Sequence, residues 1–485
     1  MAGKKRWVPP LDAMFLWGET AETMMHVASL MPFTPPEDSG PEFIEQVYEE
    51  MLAAPVCSPW NQRLTHPHIL RHPAQAWVED DHFDIDYHVR RSALPSPGDE
   101  RQLGIVVSRL HSNQLDFSRP PWEVHLIEGL EGGRYAVYTK VHHSLVDGFT
   151  ATRIQQKSMS EDPDDHSTPF FFSVNPWSGK PAGHPEESRP SGGLLGVPKR
   201  VLGAAAGTAR TAARTAGAVA DTGVGTAKAV ARLELTSSPE TSDLIDPTSA
   251  PTSIFNARTS RNRRLATQQY DLARVKAIAK ASGGTVNDVV MAICGGGLRC
   301  YLDELGDLPE KPLIAFMPVN LRDEGDEGGG NRVGVSLASM GTHLKDPRER
   351  LEAVIASTTQ AKQQMRGMQQ LTVLAYSSYL MAPAAAQLLA ALTGVGKALP
   401  KTINLVVSNL AGPSTTLYMR GAKLEAIYPI SIPVHGMALN ITLESYDGTL
   451  CFGFVGCRDA VPSLQRLAVY TGEALEELAA AYDVA

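Results

Sequence analysis

The sequence predicts an α/β protein built from two domains. Its 485 residues are more than one hydrophobic core usually organises, and this length favours two domains of roughly 200 residues each. Helical and strand-like patterns alternate in both halves, and 43% hydrophobic with 20% charged residues is typical of a globular chain. A stretch rich in Pro, Ser, Gly and Asp, residues 161–196, buries little and separates the two halves.

The first predicted domain, residues 1–160, contains an early helix and a β-hairpin. Leu11 to Trp17 has the pattern of a helix, with Asp12 as its capping residue. Trp122 to Glu128 and Arg134 to Val141 have the pattern of strands, and the glycine-rich loop between them indicates a hairpin. A helix is expected from Thr150 to Met159.

The second segment, residues 161–255, combines the linker with a basic Ala/Gly-rich helix from Val197 to Leu235. Its cations between residues 199 and 232, opposed there only by Asp221, are Lys199, Arg200, Arg210, Arg214, Lys228 and Arg232. Such a helix either rests on an anionic membrane surface or crosses between the domains with its charges in water. Its charges exclude a membrane span.

The second domain, residues 256–485, has several strong local signals. A strand is predicted for Gln268 to Leu272, followed by a helix with Thr285 as N-cap and Asp288 three residues later. Two strand-like runs flank Asp447-Gly448, which indicates a tight hairpin. The chain ends in a helix opened by Pro462, with a stripe of leucines along one side.

One stretch, from Arg366 to Lys397, has no charged residue between its ends and is long enough to cross a bilayer. Pro383 and several Gln and Ser residues favour two buried or interfacial helices instead of a span. Such helices could line an acyl-chain tunnel or dip into lipid.

The composition excludes several classes of function. The formal net charge is −9, with 44 Lys and Arg against 53 Asp and Glu, so no nucleic-acid partner is expected. The five cysteines include no C-x-x-C pair, which indicates neither a disulfide framework nor a zinc site and suits a reducing cytosol. Two prolines and an aspartate stand where a signal peptide would need its apolar stretch, so export is not expected.

The run HHSLVDG, residues 142–148, has the residues best suited to catalysis. If Tyr135 to His143 is a strand, its period of two puts His142 and His143 on opposite faces, so the two histidines cannot share one task. A neutral histidine can accept a proton from a hydroxyl, which is typically worth about 10²- to 10⁴-fold in rate. Asp147 either orients the ring or holds the turn by pairing with an arginine, and Gly148 serves close packing or an unusual backbone angle.

The HHxxxDG spacing after a strand resembles the motif of the coenzyme A-dependent acyltransferase superfamily, which includes chloramphenicol acetyltransferase, carnitine acyltransferases and peptide-synthetase condensation domains. The resemblance implies two chloramphenicol acetyltransferase-like domains, with mixed sheets flanked by helices and an active-site channel at the domain interface. It also implies that His143 is the base and Asp147 is mainly structural, with His142 and Gly148 as supporting residues of the motif.

Further landmarks resemble the bacterial wax ester synthase/diacylglycerol acyltransferase family. They follow the family's order along nearly the whole chain and are PPLDAMFL (9–16), RPPWE (119–123), Asn287-Asp288, GNRV (330–333) and VSNLAGP (407–413). One departure is Pro121, where the family has Leu before Trp122; we expect it to change local stiffness and not chemistry.

The landmark residues are candidates for lining the substrate channel or for a structural role: Pro121, Trp122, Asn287, Asp288, Ser408 and Asn409. Capping explains Asp288 and core packing explains Trp122, so structure is favoured for both. Ser408-Asn409 marks either a strand-to-turn transition or a strand end whose polar groups bind the thioester oxygen as charge develops on it.

Other constellations do not support a rival chemistry. The histidines between residues 66 and 82 are interrupted by Pro67 and Pro73, which favours a surface loop over a metal site. Residues 394–398 lack the leading Gly and the Ser or Thr of a phosphate loop, and no G-x-S-x-G is present.

The resemblance implies an O-acyltransferase that moves a long-chain acyl group from acyl-CoA to a fatty alcohol or diacylglycerol, without metal or redox cofactor. The expected location is cytoplasmic, peripherally on the inner membrane or lipid inclusions. Two alternatives stay open at this point: the same fold acting on a small soluble alcohol or amine, and a non-catalytic protein that coats lipid droplets. The uncharged stretch after Arg366 argues against the soluble acceptor.

Overall fold

The computed structural model describes residues 5–176, 249–320, 333–365 and 401–484. Four sequence predictions lie wholly or partly outside these residues: residues 177–196 of the linker, the basic helix from Val197 to Leu235, the uncharged stretch from Arg366 to Lys397, and residues 330–332 of the GNRV landmark.

The described chain alternates strands and helices, as the α/β prediction requires. The strands are β1 (Arg6–Trp7), β2 (His26–Thr34), β3 (Gln62–Leu64), β4 (Ala76–Glu79), β5 (Val89–Ala93), β6 (Trp122–Glu128), β7 (Tyr135–His142), β8 (Arg263–Asp271), β9 (Ile314–Asn320), β10 (Val333–Ser339), β11 (Leu405–Leu410), β12 (Tyr418–Met419), β13 (Ala422–Leu424), β14 (Tyr428–Ile430), β15 (Leu439–Tyr446) and β16 (Thr449–Cys457). The helices are α1 (Pro10–Gly18), α2 (Phe43–Ala53), α3 (Ile85–His88), α4 (Glu100–His111), α5 (Gly148–Lys157), α6 (Leu272–Ser282), α7 (Val286–Glu304), α8 (Pro347–Met365) and α9 (Leu464–Ala481).

Two mixed sheets organise the two halves. The first has the order β12-β13-β2-β7-β6-β5, with β14 also paired to β2, and only β5 and β6 run parallel to each other. The second has the order β10-β9-β11-β15-β16-β8, in which β11 is parallel to both β9 and β15. The small sheet β1-β4-β3 lies beside the first half.

The chain returns to the first sheet late in its course. Strands β12, β13 and β14, between residues 418 and 430, belong to the predicted second domain but extend the sheet that contains the histidine motif. The two halves therefore share a sheet, which holds them together by backbone hydrogen bonds. The predicted boundaries after residues 160 and 255 stay predictions.

Most local predictions are confirmed, with small shifts of the boundaries. The first hairpin forms as β6 and β7, and the hairpin around Asp447-Gly448 forms as β15 and β16, with positive φ at both turn residues. Thr285 and Asp288 make a reciprocal capping box at the start of α7. The predicted capping role of Asp12 is wrong, because α1 begins at Pro10 with Pro9 as its N-cap. Asp12 lies inside the first turn, where its carboxylate interacts favourably with the helix dipole.

The core of the second half is built around α7, which packs against α8 and α9. Close approach of α7 and α9 requires Gly297, because a Cβ there would lie 2.8 Å from the backbone nitrogen of Thr471. The predicted leucine stripe of α9 is confirmed as part of this core. Among the helices of the described ranges, none has the length and apolar character that crossing a bilayer requires.

Candidate active site

The histidine motif lies at the end of β7, an interior strand of the first sheet between β2 and β6. The His142 amide donates a hydrogen bond to the Pro121 carbonyl at 3.0 Å, and the His143 amide donates to the Met25 carbonyl at 2.9 Å. A further bond, from the Leu145 amide to the His142 carbonyl at 2.9 Å, closes the turn after the strand. The backbone that carries both histidines is therefore fixed from two neighbouring segments.

The ring of His143 stacks on Phe15 of α1. The two ring centroids are 4.0 Å apart and the planes are inclined by 10°. The His143 side chain stays partly accessible, while its Nδ1 is buried without a hydrogen-bond partner in the described part of the chain. Nε2 is thus the ring nitrogen that is open to a substrate.

Burial lowers the pKa of His143 to about 4, although the carboxylate of Asp147 acts in the opposite direction. The ring is consequently neutral throughout the physiological pH range. A neutral imidazole with an open Nε2 can accept a proton from a hydroxyl.

His142 points the other way and is enclosed, which confirms the prediction that the two histidines have unlike surroundings. Its Nδ1 lies 2.6 Å from the Ser144 hydroxyl and accepts a hydrogen bond from the Ser144 amide at 3.2 Å. Its Nε2 lies 3.5 Å from the carboxylate of Glu19, which is itself held by the Met25 amide and by Gln114. His142 therefore fixes the turn from which His143 projects.

Asp147 and Gly148 start the helix that follows the motif. Asp147 is the N-cap of α5, and its Oδ1 accepts a hydrogen bond from the Thr150 amide at 2.8 Å. Gly148 has ordinary helical geometry, so the suggested unusual backbone angle is wrong. A Cβ at Gly148 would touch Leu410 of β11 at 3.5 Å, so this residue lies where the second half packs against the motif.

Pro121 and Trp122 support the strand next to the motif. The Pro121 carbonyl accepts the bond from His142, and the Trp122 side chain is fully buried. The indole Nε1 of Trp122 donates to the Trp60 carbonyl at 2.7 Å, and its ring stacks on His88 and Phe172. The interpretation of Trp122 as a core residue is confirmed.

The structure brings two distant landmarks together. Asn409, near the end of β11, donates through Nδ2 to the Oδ1 of Asn287 at 2.5 Å, and both side chains are exposed. Asp288 is instead buried: it accepts from the Thr285 amide at 2.7 Å and from the Thr358 hydroxyl at 2.5 Å. The capping interpretation of Asp288 is therefore confirmed, while the Asn287–Asn409 pair joins α7 to the strand end that faces the motif helix.

Ser408 is half-buried, in register with Thr442 on the neighbouring strand β15. Strand alternation puts both on the sheet face that carries Asn440 and Glu444. Asn440, Thr442 and Glu444 are buried, although they are polar. The first half covers this face, because Leu410 of the adjacent strand contacts Gly148.

Glu444 is a buried acid that sequence reasoning did not single out. Its carboxyl group hydrogen-bonds with Thr152 of α5, while its Oε1 has no partner in the residues that the structure describes. Burial raises its pKa to about 8, although the bond with Thr152 acts the other way, so the group is largely protonated at neutral pH. As an acid, it can donate to the Thr152 hydroxyl, which in turn donates to the Gly148 carbonyl at 3.2 Å.

The histidine-rich loop between residues 66 and 82 contains a stacked pair of histidines. His66 and His72 stack with their ring centroids 3.7 Å apart, and His66 Nδ1 lies 3.0 Å from the Thr65 hydroxyl. Across residues 5–176, 249–320, 333–365 and 401–484, no group of three or more His, Cys, Asp or Glu side chains has the arrangement of a metal site.

Sequence comparisons relate the chain to one family along most of its length. The wax ester synthase/diacylglycerol acyltransferase catalytic domain matches residues 8–290, and the WS/DGAT C-terminal domain matches residues 329–479. A Mycobacterium tuberculosis protein named as a diacylglycerol O-acyltransferase is 52% identical over 99% of this chain and 98% of its own. The O-acyltransferase WSD of Acinetobacter baylyi is 36% identical over 96% of this chain and 95% of its own.

A solved structure of the same family matches this chain over nearly its whole length. The wax ester synthase/diacylglycerol acyltransferase from Marinobacter aquaeolei VT8 superposes with a TM-score of 0.77 at 36% identity, covering 99% of this chain and 100% of that one. The first condensation domain of the calcium-dependent antibiotic synthetase has a TM-score of 0.54 at 13% identity, covering 98% and 96% of the two chains, and shares the fold alone. The predicted two-domain fold of this superfamily is confirmed.

Proposed function

The chain belongs to the wax ester synthase/diacylglycerol acyltransferase family and is an acyl-CoA-dependent O-acyltransferase, and from that premise we propose that His143 is the general base of the transfer. The acceptor is a long-chain alcohol, giving a wax ester, or diacylglycerol, giving triacylglycerol. One observation carries the assignment of the base. His143 combines a neutral, partly accessible ring with a fixed backbone, whereas His142 is enclosed between Ser144 and Glu19.

The reaction proceeds by direct attack, with both substrates bound between the two halves. Nε2 of His143 removes the hydroxyl proton as the alcohol oxygen attacks the thioester carbonyl. The C–S bond then breaks, and the imidazolium returns its proton to the departing thiolate of coenzyme A. No acyl-enzyme intermediate forms, and the reaction uses no metal or redox cofactor.

The protein is proposed to work at the cytoplasmic face of a membrane or at lipid inclusions, as a peripheral protein, because its acceptors dissolve in lipid. Nucleic acid has no part in this function, and the net charge of −9 agrees with that.

Replacement of the base tests the proposal directly. We expect His143→Ala to reduce kcat by about 10²- to 10⁴-fold, which is the usual contribution of a general base. Free coenzyme A is measured with a thiol reagent after addition of acyl-CoA and either hexadecanol or diacylglycerol. His68→Ala, at an exposed histidine outside the motif, is the matched control and should keep wild-type turnover.

Two results would contradict the proposal. Near-normal turnover by a His143→Ala protein with the wild-type circular dichroism spectrum would remove His143 from the mechanism. A panel of alcohols in which turnover falls with chain length, and short polar acceptors react best, would overturn the lipid acceptor.

A further inference from the structure

Several large apolar side chains are exposed near the start of the chain and in the loop that carries Ile69. The side chains of Trp7, Met14 and Trp17 are 63%, 60% and 47% exposed, and that of Ile69 is 59% exposed. Met14 and Trp17 are three residues apart in α1 and therefore lie on the same side of that helix. We call these four residues the α1 face.

Backbone and side-chain hydrogen bonds connect the three segments that carry the α1 face. The Val8 amide donates to the Gln75 carbonyl at 3.1 Å, and Gln75 Nε2 donates to the Ile69 carbonyl at 3.4 Å. The Arg71 guanidinium donates to the Trp17 carbonyl at 3.0 Å, at the other end of the helix. The loop that carries Ile69 is thus fastened between β1 and the end of α1.

The composition of the α1 face suits a lipid surface. Single exposed apolar residues are ordinary, but clustered ones mark interaction sites, and tryptophan favours the boundary between water and lipid. Exposed cations border this face at Lys5 and Arg71, while Asp12 of the same helix acts electrostatically on Arg6. Apolar side chains with a cationic border are complementary to an anionic phospholipid surface.

The same helix reaches the catalytic base from its other side. Phe15, between Met14 and the buried Leu16, stacks on His143. Phe149, which follows the motif directly, is 39% exposed. A membrane in contact with the α1 face would therefore lie next to the part of the protein that contains the base.

We propose that the α1 face docks the enzyme on an anionic phospholipid surface, from which the lipid alcohol passes to His143. This inference rests on the proposed function, since it assigns the side from which the acceptor arrives. It adds a membrane contact formed by Trp7, Met14, Trp17 and Ile69, which belong to other parts of the sequence than residues 197–235 and 366–397.

Vesicle sedimentation tests the docking without turnover. The full-length protein is mixed with vesicles of phosphatidylcholine containing phosphatidylglycerol, with no acyl-CoA present. Each tryptophan or methionine side chain that enters the lipid surface should strengthen partitioning into vesicles about tenfold. The double variant Met14→Ser/Trp17→Ser should therefore lose most of its vesicle binding. The control Leu305→Ser/Val469→Ser removes two similarly exposed apolar side chains elsewhere and should bind as the wild type does. Wild-type binding should also weaken on vesicles of phosphatidylcholine alone.

The outcomes separate docking from catalysis. Wild-type vesicle binding by a folded Met14→Ser/Trp17→Ser protein would overturn the docking proposal, even if the wild-type enzyme esterifies lipid alcohols. A wild-type dimer that this variant converts to a monomer would also overturn it, because the α1 face would then join two copies of the chain. His143→Ala should bind vesicles normally, so failure of acyl transfer alone would count against the proposed function and not against docking.

Discussion

Replacement of Glu444 by glutamine should make the stability of this protein less sensitive to alkaline pH. The Glu444 carboxyl lies on β15 with only 2% of its surface exposed, against the helix that follows the histidine motif. Glutamine has nearly the same shape and can keep the contact with Thr152, but it cannot ionise. Any difference that grows with pH therefore reports the charge of this one group.

The magnitude follows from the raised pKa. Burial moves the pKa of Glu444 from 4.5 to about 8. An acid with a higher pKa in the folded state contributes its full stability below pH 4.5 and loses it as the pH rises toward 8, because the unfolded chain releases the proton first. At about 1.36 kcal/mol for each pH unit, the loss approaches about 5 kcal/mol by pH 9. That is a large part of a typical unfolding free energy of about 5 to 15 kcal/mol.

Denaturation at a series of pH values measures this effect. We expect the wild type and Glu444→Gln to differ little in their pH response near pH 4, and the advantage of the variant to grow steadily from pH 5 to pH 9. Glu473→Gln, at an exposed glutamate of α9, is the matched control and should follow the wild type. Parallel curves for the wild type and Glu444→Gln over this range would contradict the raised pKa, since they would show that Glu444 ionises normally in the folded protein.

Three further predictions concern the histidine motif. Phe15→Leu should lower kcat about 2- to 10-fold with little change in KM, because loss of the aromatic stack frees the His143 ring, and Phe15→Tyr should restore kcat in steady-state assays. Asp147→Asn keeps a good helix cap, so the melting temperature should barely change, while the acid limb of the pH–rate profile, near pH 4 in the wild type, should move to lower pH as the carboxylate that raises the pKa of His143 is lost. Ser144→Ala should cost about 1 kcal/mol in denaturant unfolding, through loss of the bond to His142, with a much smaller effect on kcat than His143→Ala; equal loss of kcat in the two variants would contradict the structural role of His142.

Local sequence patterns are sufficient to predict the features that depend on neighbours a few residues away. Thr285 and Asp288 cap each other across one helical turn, and Asp447-Gly448 supplies the positive φ angles of a tight hairpin. Strand alternation separated His142 from His143 because side chains on a strand point to opposite faces. These signals operate within one turn or one strand, so no knowledge of the distant chain was needed.

Contacts between distant residues became visible only in the folded structure. Asn287 and Asn409 are separated by 122 residues in the chain and share a hydrogen bond. Phe15 lies in α1 but stacks on His143, which directly follows β7. Nothing in local periodicity specifies such pairings, because they depend on how complete elements pack. The landmark residues were visible in the sequence, but the contacts that define their roles were not.

Glu444 shows why strand alternation does not reveal whether a sheet face is exposed or covered. Asn440, Thr442 and Glu444 alternate with the core residues Ile441 and Leu443, a pattern that predicts a polar face toward water. The first half of the molecule covers that face and buries all three polar side chains. Alternation determined which residues share a face of the strand, but only the docking of the two halves decided that this face is closed to solvent and that its acid is held in the protonated state.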